Sequence, residues 1–322
     1  MKNFKVNYPK ASLVLSILET VVVVVLESLI AYTYANKLYH DNSDNYTLLV
    51  YFIIFISSQL FQVVLVWDAL RHQNTIQIIA LMLFNLSCFC YSLIQYHQLS
   101  QISGIEGAPG KMCQNLTISI AVIMFVFFLL YLWVGYGLYR EFGWNIYKRI
   151  GADVRLKSRY RTYQIFLTLV KLDVFFFLGF CIQFLVLVLG DSDPETPITI
   201  ASLPIIIITL VLAIYCIRRE NRVATVFFLL GLCCGAGYFI FKLIRIQQKR
   251  TERKYKSTII FLSFFASLSL VMIFITIIMT IQCYLNFGKG LKSHCKLFYL
   301  LLVNSRVGIN ILCCSEYNCK DG

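Results

Sequence analysis

Four ionisable side chains stand inside otherwise apolar stretches: Glu19 and Glu27 near the start of the chain, and Lys171 and Asp173 in Lys171-Leu172-Asp173-Val174-Phe175-Phe176-Phe177. A charged group at the centre of a bilayer costs about 2.5–3.5 kcal/mol on insertion scales, so each of these must face protein or water. The chemistry open to them is a proton or substrate relay. The alternatives are a structural ion pair, or snorkelling toward the membrane surface. Lys171 and Asp173 are two residues apart, about 200° around a helix, and need separate partners. The scarcity of other intramembrane charges predicts that Lys171 pairs with Glu19 or Glu27 across a helical bundle. Gln59, Gln62 and Gln183 lie in similar stretches and suit interhelical hydrogen bonds.

No other pattern carries catalytic chemistry. The chain has no His-Glu-x-x-His, no Gly-x-Ser-x-Gly, no Walker loop and no spaced Cys/His set, and His40, His72, His97 and His294 are scattered near segment ends. The expectation is a protein that is not an enzyme, with no catalytic residue, no cofactor and no metal. Cys88, Cys90, Cys181, Cys216, Cys233 and Cys234 fall inside apolar runs and read as small buried hydrophobes rather than a disulfide framework. Cys283 and Cys295, near a membrane boundary, are candidates for palmitoylation.

The elements that position the charged groups are apolar segments of membrane-crossing length. Hydrophobic residues make up 59% of the 322 and charged residues only 14%, far below the roughly 25% charged usage of soluble domains. Spans of about 20 residues are expected at 11–34, 47–67, 75–97, 116–138, 162–189, 198–217, 223–241 and 257–283. The fold class is therefore all-α, a polytopic transmembrane bundle of seven to eight spans forming one domain over 1–283. Residues 284–322 follow as a tail expected to be poorly ordered. The first segment is too long, and too acidic at Glu19 and Glu27, for a cleavable signal peptide.

The excess of 29 Lys+Arg over 16 Asp+Glu gathers in short bursts between the spans, where it sets topology and meets the lipid bilayer rather than nucleic acid. With the N-terminus cytosolic, fourteen basic residues fall inside over the first six spans against Lys37 and Lys111 outside. Arg140, Lys148 and Arg149, interleaved with aromatic residues, are candidate contacts for anionic lipids, and the same basic loops could recruit cytosolic proteins. The sequons at Asn45 and Asn115 then face the lumen and are possible glycosylation sites. The seventh segment conflicts with this pattern, because the loop after it holds seven Lys/Arg between Lys242 and Lys256. Either 223–241 is re-entrant, or eight spans tolerate the late charge, and eight is the favoured reading since Gly231, Gly235 and Gly237 suit close helix contact. Nothing in the sequence sets the oligomeric state.

The run from Tyr160 to Phe184, with Arg218-Arg219-Glu220-Asn221, Phe241-Lys242-Leu243-Ile244-Arg245-Ile246 and Asn286-Phe287-Gly288-Lys289-Gly290-Leu291-Lys292 in order, resembles an uncharacterised fungal family of multi-pass Golgi-apparatus membrane proteins. The resemblance covers roughly residues 10–292 and departs in the tail. It implies a Golgi membrane and transfers no reaction. The expected function is a non-catalytic scaffold or receptor-like protein in Golgi trafficking or organisation, with a small-solute or ion transporter using the intramembrane Lys, Asp and Glu as the alternative. A receptor coupled to G proteins is disfavoured by the cytosolic N-terminus.

Overall fold

A computed structural model describes residues 7–37, 46–100, 108–150, 154–187, 196–248 and 258–287. These residues form eight helices and, among them, no strand: α1 (Tyr8–Lys37), α2 (Tyr46–His72), α3 (Thr75–Ser100), α4 (Ala108–Ile150), α5 (Val154–Leu187), α6 (Thr196–Arg219), α7 (Arg222–Gln248) and α8 (Ile259–Leu285). All eight are long and apolar enough to cross a membrane. At 1.5 Å per residue a helix of 26 or 27 residues runs for about 40 Å, more than the roughly 30 Å of hydrocarbon. The last helix passes the expected end at residue 283 and reaches Leu285, with Phe287 still buried. The rest of the tail, with Cys295, lies outside the described residues.

Consecutive helices pack as neighbours, and the chain closes on itself twice. Helices α1 to α4 form one ring, completed by α1 against α4, and α5 to α8 form a second, completed by α5 against α8. Tyr8 at the start of α1 meets Trp133 of α4 edge to face at 6.4 Å. A Cβ added at Gly137 would come within 2.3 Å of the Tyr8 ring, so only glycine permits that approach. The rings join where α5 lies against α2 and α3, and α8 against α3. An aromatic seam fills this junction. Phe61 of α2 stacks on Phe175 of α5 at 4.8 Å, Phe84 of α3 meets Phe175 and Phe176 at 5.2 and 5.8 Å, and Tyr51 of α2 stacks on Phe261 of α8 at 3.8 Å.

The two rings share a connection. Both α2–α3 and α6–α7 turn through a residue with φ of 49°, Gln73 in one and Glu220 in the other. In each the next residue is an Asn whose amide N–H donates back to a carbonyl five residues earlier, Asn74 to Ala69 and Asn221 to Cys216, both at 3.0 Å. Each Asn side chain then caps the following helix, accepting from Ile76 N–H at 3.0 Å in one ring and from Val223 N–H at 3.1 Å in the other. Each four-helix ring thus has an equivalent turn between its middle pair of helices.

The seventh segment is one continuous helix of 27 residues, which favours eight full segments over a re-entrant loop. Two of its three glycines face a neighbouring helix, and Gly237 faces open space. A Cβ on Gly231 would lie 3.3 Å from Thr209 of α6, and one on Gly235 3.8 Å from Ile273 of α8. Helix α4, at 43 residues, extends about 65 Å. It overshoots the hydrocarbon on the end that carries exposed Arg140 and Trp144.

Candidate functional site

The buried face of α1 is a stripe at helical spacing: Ser12, Ser16, Glu19, Thr20, Val23, Glu27 and Ile30, all below 9% exposed. A stripe with two carboxyl groups cannot be held by apolar packing alone, and the neighbouring helices answer it with polar side chains. Glu19, with no exposed surface, accepts from Gln62 Nε2 of α2 at 2.5 Å and from Asn85 Nδ2 of α3 at 2.7 Å. Gln62 Nε2 also donates to Tyr131 Oη of α4 at 3.2 Å. All four helices of the first ring therefore meet at Glu19, the arrangement by which bundle cores build sites from facing helices. Two turns along α1, Glu27, equally enclosed, accepts from Gln95 Nε2 of α3 at 3.2 and 3.1 Å.

Lys171 departs from the expected pairing. It forms its ion pair with Asp68 of α2, and its Nζ also donates to Gln77 Oε1 of α3 at 3.3 Å. Glu19 and Glu27 form no salt bridge among the described residues. Asp68 stands near the end of α2, at the depth Lys171 occupies on α5, whereas Glu19 lies in the middle of the first ring. Asp68 lies one position beyond the expected second span, 47–67. Gln77 Nε2 donates to Asp68 Oδ2 at 2.8 Å, and His72 Nδ1 lies 3.1 Å from Asp68 Oδ1. This cluster is half open to the surface, with the Lys171 and Asp68 side chains 37% and 20% exposed. It straddles the junction between rings.

Asp173 sits in the second ring, 1% exposed, and accepts from Thr276 Oγ1 of α8 at 2.7 Å. The four charged residues are thus distributed over separate places rather than gathered at one. Of the three glutamines, Gln62 bridges helices, and Gln59 reaches only Met124 Sδ at 3.9 Å. Both side-chain atoms of Gln183 are buried without a hydrogen-bond partner among the described residues. A bridging role for Gln183 is not found there.

A further lysine is enclosed at a position expected in a loop. Lys242, at 1% exposure, holds its Nζ 3.9 Å from the centre of the Phe184 ring. A desolvated cation–π contact is worth about 2 kcal/mol. Elsewhere Arg71 covers Trp67 and Arg219 covers Tyr215, both near the ends of apolar helices where aromatic rings anchor to the interface. Arg140 is exposed on α4; the side chains of Lys148 and Arg149 lie outside the described residues, as does Asn45. Asn115 is exposed within α4 rather than on a loop. Cys283 is buried, which removes it from the surface that acylation requires.

The comparisons with known proteins fit this architecture. Residues 150–280 match a family described as a domain of unknown function (DUF7789), a stretch that coincides with α5 to α8 and hence with the second ring. The chain is 29% identical over 270 residues to a UPF0658 Golgi apparatus membrane protein of Schizosaccharomyces pombe, covering 75% of this chain and 76% of that protein. This agrees with the resemblance drawn from the residues themselves. No solved structure matches.

Proposed function

We propose that this chain is a multi-pass Golgi membrane protein that carries a small species through the interior of its first ring, with its N-terminus in the cytosol. The Golgi assignment rests on the Schizosaccharomyces pombe relative, and the orientation on the excess of basic residues at the ends of α1, α2, α4, α5 and α6. The observation that carries the transport reading is the enclosure of Glu19 and Glu27, held by Gln62, Asn85 and Gln95. Neutral amides alone would supply the interhelical hydrogen bonds that a passive scaffold needs. Two carboxyl groups retained at several kcal/mol of desolvation favour a working role.

Cys88 offers a native probe, since it faces the same interior on α3 and lies 3.6 Å from Ser58 Oγ. In native membranes, a small water-soluble methanethiosulfonate cation labels Cys88 only where the interior opens to a solute of that size, with mass spectrometry as the readout and Cys88→Ala as the blank. Complete protection, with labelling restored on unfolding in dodecyl sulfate, together with no proton or ion flux into liposomes that hold the protein, would rule against transport.

A second reading has its own observation. Helix α4 projects beyond the hydrocarbon with Arg140 and the exposed rings of Tyr136, Tyr139 and Trp144, a surface suited to anionic lipids or a cytosolic partner. A scaffold working through that surface would leave Cys88 silent.

A further inference from the structure

We infer that the species carried through the first ring is the proton, handed between carboxyl groups arranged along α3; the inference deepens the transport reading and rests on it. Helix α3 presents three amides, and each donates to a carboxylate on another helix: Gln77 to Asp68, Asn85 to Glu19 and Gln95 to Glu27. At 1.5 Å per residue these levels are about 12 and 15 Å apart. Together they span about 27 Å, close to the roughly 30 Å of hydrocarbon. The lower end opens to the surface through Asp68 and through His72, whose side chain is 44% exposed.

The packing selects the species. At Glu19 the carboxylate oxygens already touch amide N–H groups at 2.5 and 2.7 Å, so neither an organic solute nor a metal ion fits between them. The donors also point positive hydrogens at the site, which suits an anion or a protonated carboxyl and opposes a bound cation. A proton needs no such room. It arrives on a carboxylate oxygen as a new O–H bond, and that bond breaks when the proton passes to a water or the next acceptor. No electrons change hands.

Unused acceptors stand at the Glu19 and Glu27 levels and beside them on α2. Asn85 Oδ1, Gln95 Oε1 and Gln59 Oε1 are buried and lack a hydrogen-bond partner among the described residues. Each is a carbonyl oxygen set for an O–H donor such as water or a protonated carboxyl. A cavity of about 20 Å³ at this depth is lined by Ser58, Cys88 and Tyr91 with Phe175 and Phe265 of the second ring, which places it at the junction of the rings, outside the route from Glu19 to Glu27. The ionisable groups facing Glu19 are Tyr131 of α4 and Cys88 of α3, and Tyr91 of α3 faces Glu27. Beside Asp68 they are His72 and Lys171.

The full chain, reconstituted in phosphatidylcholine liposomes with a trapped pH dye, tests this. Potassium inside and valinomycin supply the counter-ion current, and an external acid jump supplies the gradient. The wild type is expected to acidify the lumen faster than protein-free liposomes. Glu19→Gln and Glu27→Gln should each slow this on the order of 100-fold, the lower range for losing a positioned proton-transfer group. Val25→Leu, on the outward face of α1, should match the wild type. If a Gln variant does not fold, an apolar carbodiimide added to the wild type serves instead, with an adduct on Glu19 or Glu27 and loss of the flux expected together. Wild-type liposomes no faster than empty ones, or both folded Gln variants running at the wild-type rate, would overturn the proposal. Cys88 labelling alongside a flat dye trace would remove the proton and leave transport standing.

Discussion

Lys171 is where the two rings are tied by charge. Its Nζ reaches from α5 to Asp68 of α2 and Gln77 of α3, so the pair works as one unit with the amide. Truncating one partner leaves the other charge half buried without its counter-ion, while truncating both leaves neither. Lys171→Met and Asp68→Asn are therefore expected to destabilise singly, and the double variant by less than their sum. The coupling should be about 1 kcal/mol, toward the low end for partly exposed groups in contact, measured by a double-mutant cycle on unfolding in mixed micelles. An additive result would mean the pair contributes nothing. The lysine itself stood out in the sequence because it interrupts an apolar run, and so did Glu19, Glu27 and Asp173. Their partners did not. Asn85 and Gln95 look like any other membrane amide, and a pattern of types and spacing does not say which of several carboxylates lies at the depth of Lys171.

At the scale of elements, length and apolarity made all eight helices legible, since each had to cover the hydrocarbon with uncharged residues. Their ends were less so, because α4 and α5 continue as helix through the charged stretches beyond the hydrocarbon, with α4 reaching Ile150 and α5 starting at Val154. The two short connections were present in the chain as Arg71-His72-Gln73-Asn74 and Arg218-Arg219-Glu220-Asn221. Their equivalence emerged only once both were seen to place a non-glycine residue at φ of 49°. That geometry has a measurable cost. A left-handed conformation strains an L-residue by about 1–2 kcal/mol, part of which glycine gives back as chain entropy. Gln73→Gly and Glu220→Gly should each raise stability by up to about 1 kcal/mol. Asn74→Ala and Asn221→Ala should each lower it by about 1 kcal/mol through loss of the cap. Unfolding of the four variants in micelles checks both signs. If the glycine variants were destabilised, the side chains of Gln73 and Glu220 would have to be doing more than tolerating the turn.

For the whole molecule, the paired rings explain a conflict that charge counting alone left open. With α7 and α8 both crossing, the segment after α7 falls on the same side as the one that holds Asp191, Asp193 and Glu195, and because α7 runs to Gln248 and takes in Lys242 and Arg245, five basic residues remain in that segment rather than seven. Orientation is by then fixed by the earlier helices. A closed second ring needs all four of its members, and a re-entrant α7 would leave α6 and α8 without the neighbour they pack on. Two outcomes follow. A glycosylation reporter should be modified when inserted in 38–45, 101–107, 188–195 or 249–257, and silent at the N-terminus, in 151–153 and after residue 287. Modification after residue 287 would return α7 to the re-entrant alternative. The chain should also tolerate a break at 151–153, because each half closes its own ring and the seam of Phe61, Phe84, Phe175, Phe176 and Phe261 joins them. Aromatic pairs contribute about 0.5–1.5 kcal/mol each beyond area, so halves 1–152 and 153–322 expressed as separate chains should co-purify. Phe84→Ala with Phe175→Ala should abolish that association while leaving each half helical. Halves that expressed and folded but failed to meet would show that the connector, rather than the seam, holds the rings together.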